Sequence, residues 1–176
     1  CRMDMCFIVR ATCACLAWPD RWVVASLLPN IATEYGVSHA GAAIVVAAFT
    51  LSYGLFQIFY GPIGDRYGRL STVSIATAIV SIGSIGSAFA QNLDWLTALR
   101  FLTGIGAAGI IPVSLAWIGD ETDYKNRQVS LGNFISFILL GQIFGPSLGG
   151  TLAEVSSWRT IFYFFSVAFF IMTVIL

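Results

Sequence analysis

Few side chains in this sequence are equipped for chemistry, and their scarcity makes each one informative. Asp20 sits in the run Trp18-Pro-Asp-Arg-Trp22, nine residues ahead of Pro29. Nine helical residues cover about 14 Å, so in a membrane-crossing helix this carboxyl lies near mid-depth. Its ionised form is expensive there, which favours protonation, a charged partner or a wet cavity. The plain reading is a fixed ion pair that only holds the fold. Arg21 is adjacent and does not share its helical face. Arg100 is a third charge in apolar surroundings. Such an arginine faces a cavity or a carboxylate, or snorkels to the interface. The sole histidine, His39, falls in a short polar loop beside no strong nucleophile signature, so Ser-His-Asp catalysis has no support and no enzyme is expected. Cys1, Cys6, Cys13 and Cys15 all lie near the start, and Cys13-x-Cys15 lacks the second pair a metal site needs.

The elements that position these groups follow from composition. The 176 residues carry nine Lys+Arg and nine Asp+Glu, a net charge of zero. Charged residues are 10% and hydrophobic ones 57%, with a mean hydropathy of +0.83. So few charges cannot clothe a water-soluble globule, and no basic face exists to bind nucleic acid. An integral membrane protein remains. Long charge-free stretches supply spans of about 20 residues: six are predicted, at about 7–31, 40–61, 71–91, 94–117, 128–153 and 159–176. A cytoplasmic N-terminus places Arg2, Arg10, Arg66, Arg69, Lys125 and Arg127 inside and only Arg159 outside, a clear positive-inside bias. A start at Cys1 and a wholly apolar last stretch, Phe169 to Leu176, lead us to expect a piece of a longer chain.

Three glycine-bearing motifs stand out. Gly61-Pro-Ile-Gly64-Asp65-Arg66-Tyr-Gly68-Arg69-Leu70 falls between the second and third spans and reads as a tight, basic turn. Taken alone it could be an ordinary positive-inside hairpin. Arg100 is followed by Gly104-Ile-Gly106-Ala-Ala-Gly109. The glycine spacing mimics a dinucleotide-binding turn, but that site needs a preceding strand, and here it lies inside an apolar helix. In the fifth span Gly132, Gly141, Gly145, Pro146, Gly149 and Gly150 stand out: Gly141, Gly145 and Gly149 recur every fourth residue as one smooth stripe, and Pro146 is expected to kink the helix. The plain reading of the stripe is a helix-packing seam.

Taken together the motifs resemble the major facilitator superfamily. The 61–70 run is similar to the family's G-x-L-a-D-r-x-G-r-[KR] signature, with Ile63 at the usual Leu and no basic residue after Arg69. Arg100, Gly104 and Gly106 are similar to R-x-x-x-G-x-G in helix four. The fifth span matches the antiporter motif G-x8-G-x3-G-P-x2-G-G at every fixed position. The resemblance covers nearly the whole chain, through Ser157-Trp158-Arg159. It implies an all-α integral membrane fold: the N-terminal six-helix half of a twelve-helix transporter, built as two inverted three-helix repeats. It also implies export of small organic molecules, drugs or metabolites, in exchange for protons by alternating access. The proton gradient serves as energy source and no cofactor is needed. Asp20 becomes the proton carrier, with Arg21 and Arg100 in the same pathway. The 61–70 run becomes a cytoplasmic latch in which Asp65 faces the second half and Arg69 pairs with Asp120. Partners are a small-molecule substrate, the lipid of a plasma (cytoplasmic or inner) membrane and a second six-helix half; no nucleic acid is expected. Aromatic residues Phe49, Tyr53 and Phe56 are candidate cavity walls. An organic anion symporter with Arg21 as anion clamp, or a half-protein that does not transport, is the alternative.

Overall fold

The computed structural model describes residues 23–155 and 157–176; within 145–155 the description is of the backbone. The described residues are helical, with no strand among them. The order is α1 (23–35), the short α2 (His39–Ala42), α3 (Ile44–Tyr67), α4 (Arg69–Ala88), α5 (Leu93–Glu121), α6 (Tyr124–Val155) and α7 (Trp158–Ile175). Among the described residues four spans are long and apolar enough to cross a membrane: His39–Tyr67, Arg69–Ala88, Leu93–Glu121 and Trp158–Ile175. Local chemistry sets their starts. Ser38 accepts from the Gly41 amide at 3.0 Å, Asn92 from the Trp95 amide at 2.8 Å, and Ser157 from the Arg159 amide, each satisfying a donor the helix leaves orphaned.

The helices run longer than expected where prolines and glycines suggested turns. Gly61 to Tyr67 forms the last turns of α3, with Pro62 inside the helix. Only Gly68 leaves helical geometry, at φ +89°. The expected tight turn over 61–70 is therefore one residue, and Gly61 and Gly64 do not serve it. Likewise α5 passes through Pro112 and keeps Gly119, Asp120 and Glu121 helical. Around Pro112, within the apolar run of α5, a backbone that abandoned its helix would leave polar groups with no water to meet them; at 61–67 and 119–121 the helices extend to where Asp65, Arg69 and Asp120 meet. At Gly68 an alanine must adopt a left-handed backbone. Gly68→Ala is expected to cost about 1 kcal/mol, read as a lower midpoint of thermal unfolding in detergent, whereas Gly61→Ala meets nothing within 4 Å and is expected to be neutral.

The core centres on α5, which packs against α3 on one side and α4 on the other, while α4 also packs on α7. Gly106 to Ile110 are buried without interruption, as a helix surrounded by others requires. An alanine Cβ at Gly104 would lie 2.5 Å from the Phe49 carbonyl oxygen of α3, and at Gly106 it would lie 2.7 Å from the Ala76 oxygen of α4. At Gly109 it would strike the Tyr60 ring. The dinucleotide-like spacing is thus a packing device that lets two helices approach one, as small residues do in membranes. α4 answers with its own glycines, Gly83 against Thr103 and Gly86 against Leu99.

Candidate functional site

Three charges converge at one end of the bundle. Asp65 lies in the last turn of α3, Arg69 is the first residue of α4, and Asp120 is next to last in α5. Each sits at the helix end that disfavours it. Acids oppose the negative pole of a C-terminus, and an arginine opposes the positive pole of an N-terminus, by about 0.3–1 kcal/mol apiece. They are tolerable only together. Arg69 Nη1 lies 2.6 Å from Asp120 Oδ2, and Arg69 Nη2 lies 3.4 Å from Asp65 Oδ1. Arg69 Nη1 is buried yet makes no aligned hydrogen bond, so its tie to Asp120 is a close charge contact rather than a directed bond. Arg69 is largely covered at 22% side-chain exposure, while Asp120 keeps 62%. Arg66 turns away and lies 5.6 Å from the Tyr67 ring centroid. The three charges border an open cleft of about 530 Å³ that also takes in Trp117 and Glu121.

Arg100 lies in the interior rather than at either end. It is 0% exposed, which overturns the snorkelling alternative. Its Nε donates to Ser87 Oγ of α4 at 3.4 Å, and its guanidinium carbon stands 4.3 Å from the Phe162 ring centroid of α7, in cation–π range. Arg100 thus joins α5 to both α4 and α7. Of the candidate wall aromatics, Phe49 is 3% exposed and stacks on Tyr53 at 6.2 Å, while Phe56 meets Phe101 edge-on. These rings pack α3 on itself and on α5.

The fifth-span motif is described in part. Gly132 faces open space and Gly141 is buried. Gly145, Pro146, Gly149 and Gly150 lie on the helical backbone of α6. Asp20 and Arg21 lie outside the described residues.

The opposite end of α4, about 30 Å away by helix rise, holds a second cluster that the sequence reading passed over. Glu34 receives the Trp158 indole N–H and an Arg159 guanidinium N–H. Arg159 Nη2 also donates to the Ala90 carbonyl at 3.1 Å, which Tyr35 Oη reaches at 2.9 Å. The signal was available: Glu34 is the acid just past the first span, and Arg159 is the only cation expected at that face.

Comparison with known proteins decides what kind of scaffold holds these clusters. The family model described as Major Facilitator Superfamily matches residues 11–176. The chain belongs to the major facilitator superfamily. That family, as its relatives' names say, is one of transporters rather than enzymes. The chain is 31% identical over 145 residues to the multidrug resistance protein Stp of Mycobacterium tuberculosis, covering 82% of this chain and 27% of Stp. It is 33% identical to the MFS-type transporter gkaD of Penicillium citrinum, covering 80% and 24%. It is 32% identical to the multi-drug resistance efflux pump PmrA of Streptococcus pneumoniae, covering 80% and 36%. The chain therefore spans about a quarter to a third of these relatives. A bacterial homologue of the human lysosomal transporter Spinster, solved inward-facing and occupied, superposes with a TM-score of 0.89 at 20% identity, over 98% of this chain and 43% of that one. The POT family transporter PepTSo gives 0.81 at 22% identity, over 98% and 36%. The fold is thus that of a major facilitator protein, all-α and integral to a membrane.

Proposed function

We propose that this chain is the N-terminal six-helix half of a proton-coupled exporter of small organic molecules, working by alternating access against a second six-helix half. The observation that carries the reading is the Asp65–Arg69–Asp120 cluster. Three helix ends, each electrostatically unfavourable alone, come together on the face that the lysine and arginine bias assigns to the cytoplasm. Such a cluster is stable only while α3, α4 and α5 stay in register, which suits a latch that holds one conformation and releases it. The glycine motif of α6 and relatives named for multidrug resistance support export over uptake. The proton gradient of a plasma membrane supplies the energy, with Asp20 as carrier and Arg21 and Arg100 in the same pathway. The antiporter motif Gly132, Gly141, Gly145, Pro146, Gly149 and Gly150 lies on α6, where Gly141, Gly145 and Gly149 recur every fourth residue as a smooth seam for a packed helix.

Removing Arg69 tests the latch. Arg69→Ala strands both acids at helix C-termini. The stability loss is expected to be on the order of 1 kcal/mol or less, since the pair is part-exposed and screened. Proton-driven export of a fluorescent organic cation by the full-length protein in vesicles is expected to fall about tenfold, as a conformational step loses its stabilising contact. Arg69→Lys is expected to recover part of it. Export unchanged in Arg69→Ala refutes the latch.

A further inference from the structure

We propose that Glu34 is a positioning residue that fastens the end of α1 to the start of α7, so that these two helices move as one body through the transport cycle. The inference rests on the transport reading, but its geometry does not. One carboxylate gathers two donors from successive residues at the start of α7, Trp158 Nε1 and Arg159 Nη1. The same guanidinium reaches the Ala90 carbonyl in the turn between α4 and α5, and Tyr35 Oη donates to that same carbonyl from the end of α1. The Arg159 guanidinium carbon also stands 4.5 Å from the Trp158 ring centroid, and Trp158 meets Tyr35 edge-on. Three chain segments are thereby joined at five points around one acid.

Such a knot fixes what apolar packing leaves loose. α1 over 23–35 carries no glycine and is followed by Gly36 at φ +64°. Its inward residues Val23, Leu27 and Ile31 are buried, but apolar contact is weakly specific about register where lipid is equally apolar. A charge-assisted pair with an indole N–H on the same carboxylate fixes both height and rotation. Asp20 precedes α1 by three residues in sequence, so under the proposed function the seating of α1 bears on the proton carrier. Glu34 acts on transport through α1 and need not touch substrate.

The test is a spin-label distance in the full-length protein, with native cysteines replaced and labels on Thr33→Cys and Thr160→Cys. The proposal expects one narrow distance that stays the same at acid and neutral pH and with or without an organic-cation substrate. Glu34→Ala should broaden it. Glu34→Ala should also lower the maximal export rate per folded molecule by about tenfold, with KM within twofold, because misplacement by an ångström is costly to a positioned group. Thermal unfolding should drop by roughly 3 °C, the scale of a part-exposed ion pair in a chain of this size. The charge swap Glu34→Arg with Arg159→Glu should recover only part of both readouts relative to either single change, because an arginine at 34 cannot accept the Trp158 N–H and a glutamate at 159 cannot donate to the Ala90 carbonyl. Two distances that exchange with pH or substrate while Glu34 is intact overturn the proposal, as does an unbroadened distance in Glu34→Ala. If the unsubstituted protein exports nothing, the transport reading fails, and the distance measurement alone still decides whether Glu34 holds the helices together.

Discussion

Neutralising Asp20 to Asn is expected to abolish proton-driven export, by roughly a hundredfold or more, the scale on which a positioned proton-transferring carboxyl contributes. Asparagine keeps the shape and cannot carry a proton. The expectation rests on sequence spacing: Val23, Val24 and Leu27 follow Asp20 at three, four and seven residues, the interval of one helical face, and all three are buried. The assay is uptake into everted vesicles under an imposed pH gradient, paired with downhill flux without one. A carrier loses the coupled flux and retains part of the downhill flux. If coupled export survives in Asp20→Asn, Asp20 is a fixed partner in an ion pair. If instead Arg21→Ala abolishes uptake of an organic anion while Asp20→Asn leaves it, the protein is an anion symporter of the same superfamily.

Replacing Gly104 by valine is expected to be the most destabilising single change in the bundle. Even the first carbon of a side chain would sit 2.5 Å from the Phe49 carbonyl oxygen and would overlap the Ser52 hydroxyl. A backbone oxygen cannot swing aside, so α3 and α5 must separate along their whole seam. Overpacking of this kind costs about 3 kcal/mol, and two further methyl groups deepen it. That corresponds to a Tm loss of roughly 6–12 °C at the 2–4 °C per kcal/mol typical of chains this long. Gly54→Val is the control: Gly54 lies on α3 with nothing within 4 Å of a Cβ, and the change is expected to be near neutral. Equal losses at the two positions would remove the close approach of α3 to α5 as the explanation.

The two glycines show what was legible in the sequence and what was not. Both sit in apolar, helical runs, and nothing in the local sequence separates them. The Gly104, Gly106, Gly109 spacing could be read as small residues on a helix, but not which neighbour each one serves: Phe49 and Tyr60 of α3 at the first and third, Ala76 of α4 at the second. Helix ends were misjudged for a related reason. Gly61-Pro62 and Gly119 carry the marks of turns, yet both stay helical, out to the charges that meet across the ends of α3, α4 and α5. The two ends of α4 were read unevenly. The family resemblance pairs Arg69 of the 61–70 run with Asp120, while nothing in the sequence links Glu34 to Arg159, 125 residues away.

Composition alone determined that this protein lives in a membrane, because 18 charges among 176 residues cannot solvate its surface. Motif order pointed to its family, because three spaced patterns fall in order after the second span, in the fourth and in the fifth. Tertiary structure alone decided that Arg100 is held between Ser87 and Phe162 instead of snorkelling to the interface, that Phe49 packs in the core, and that Glu34 binds the first helix to the last. Those outcomes depend on which helices are neighbours. Periodicity fixes the face a residue presents along its own helix, while the partner across the gap is set by how all the helices pack at once.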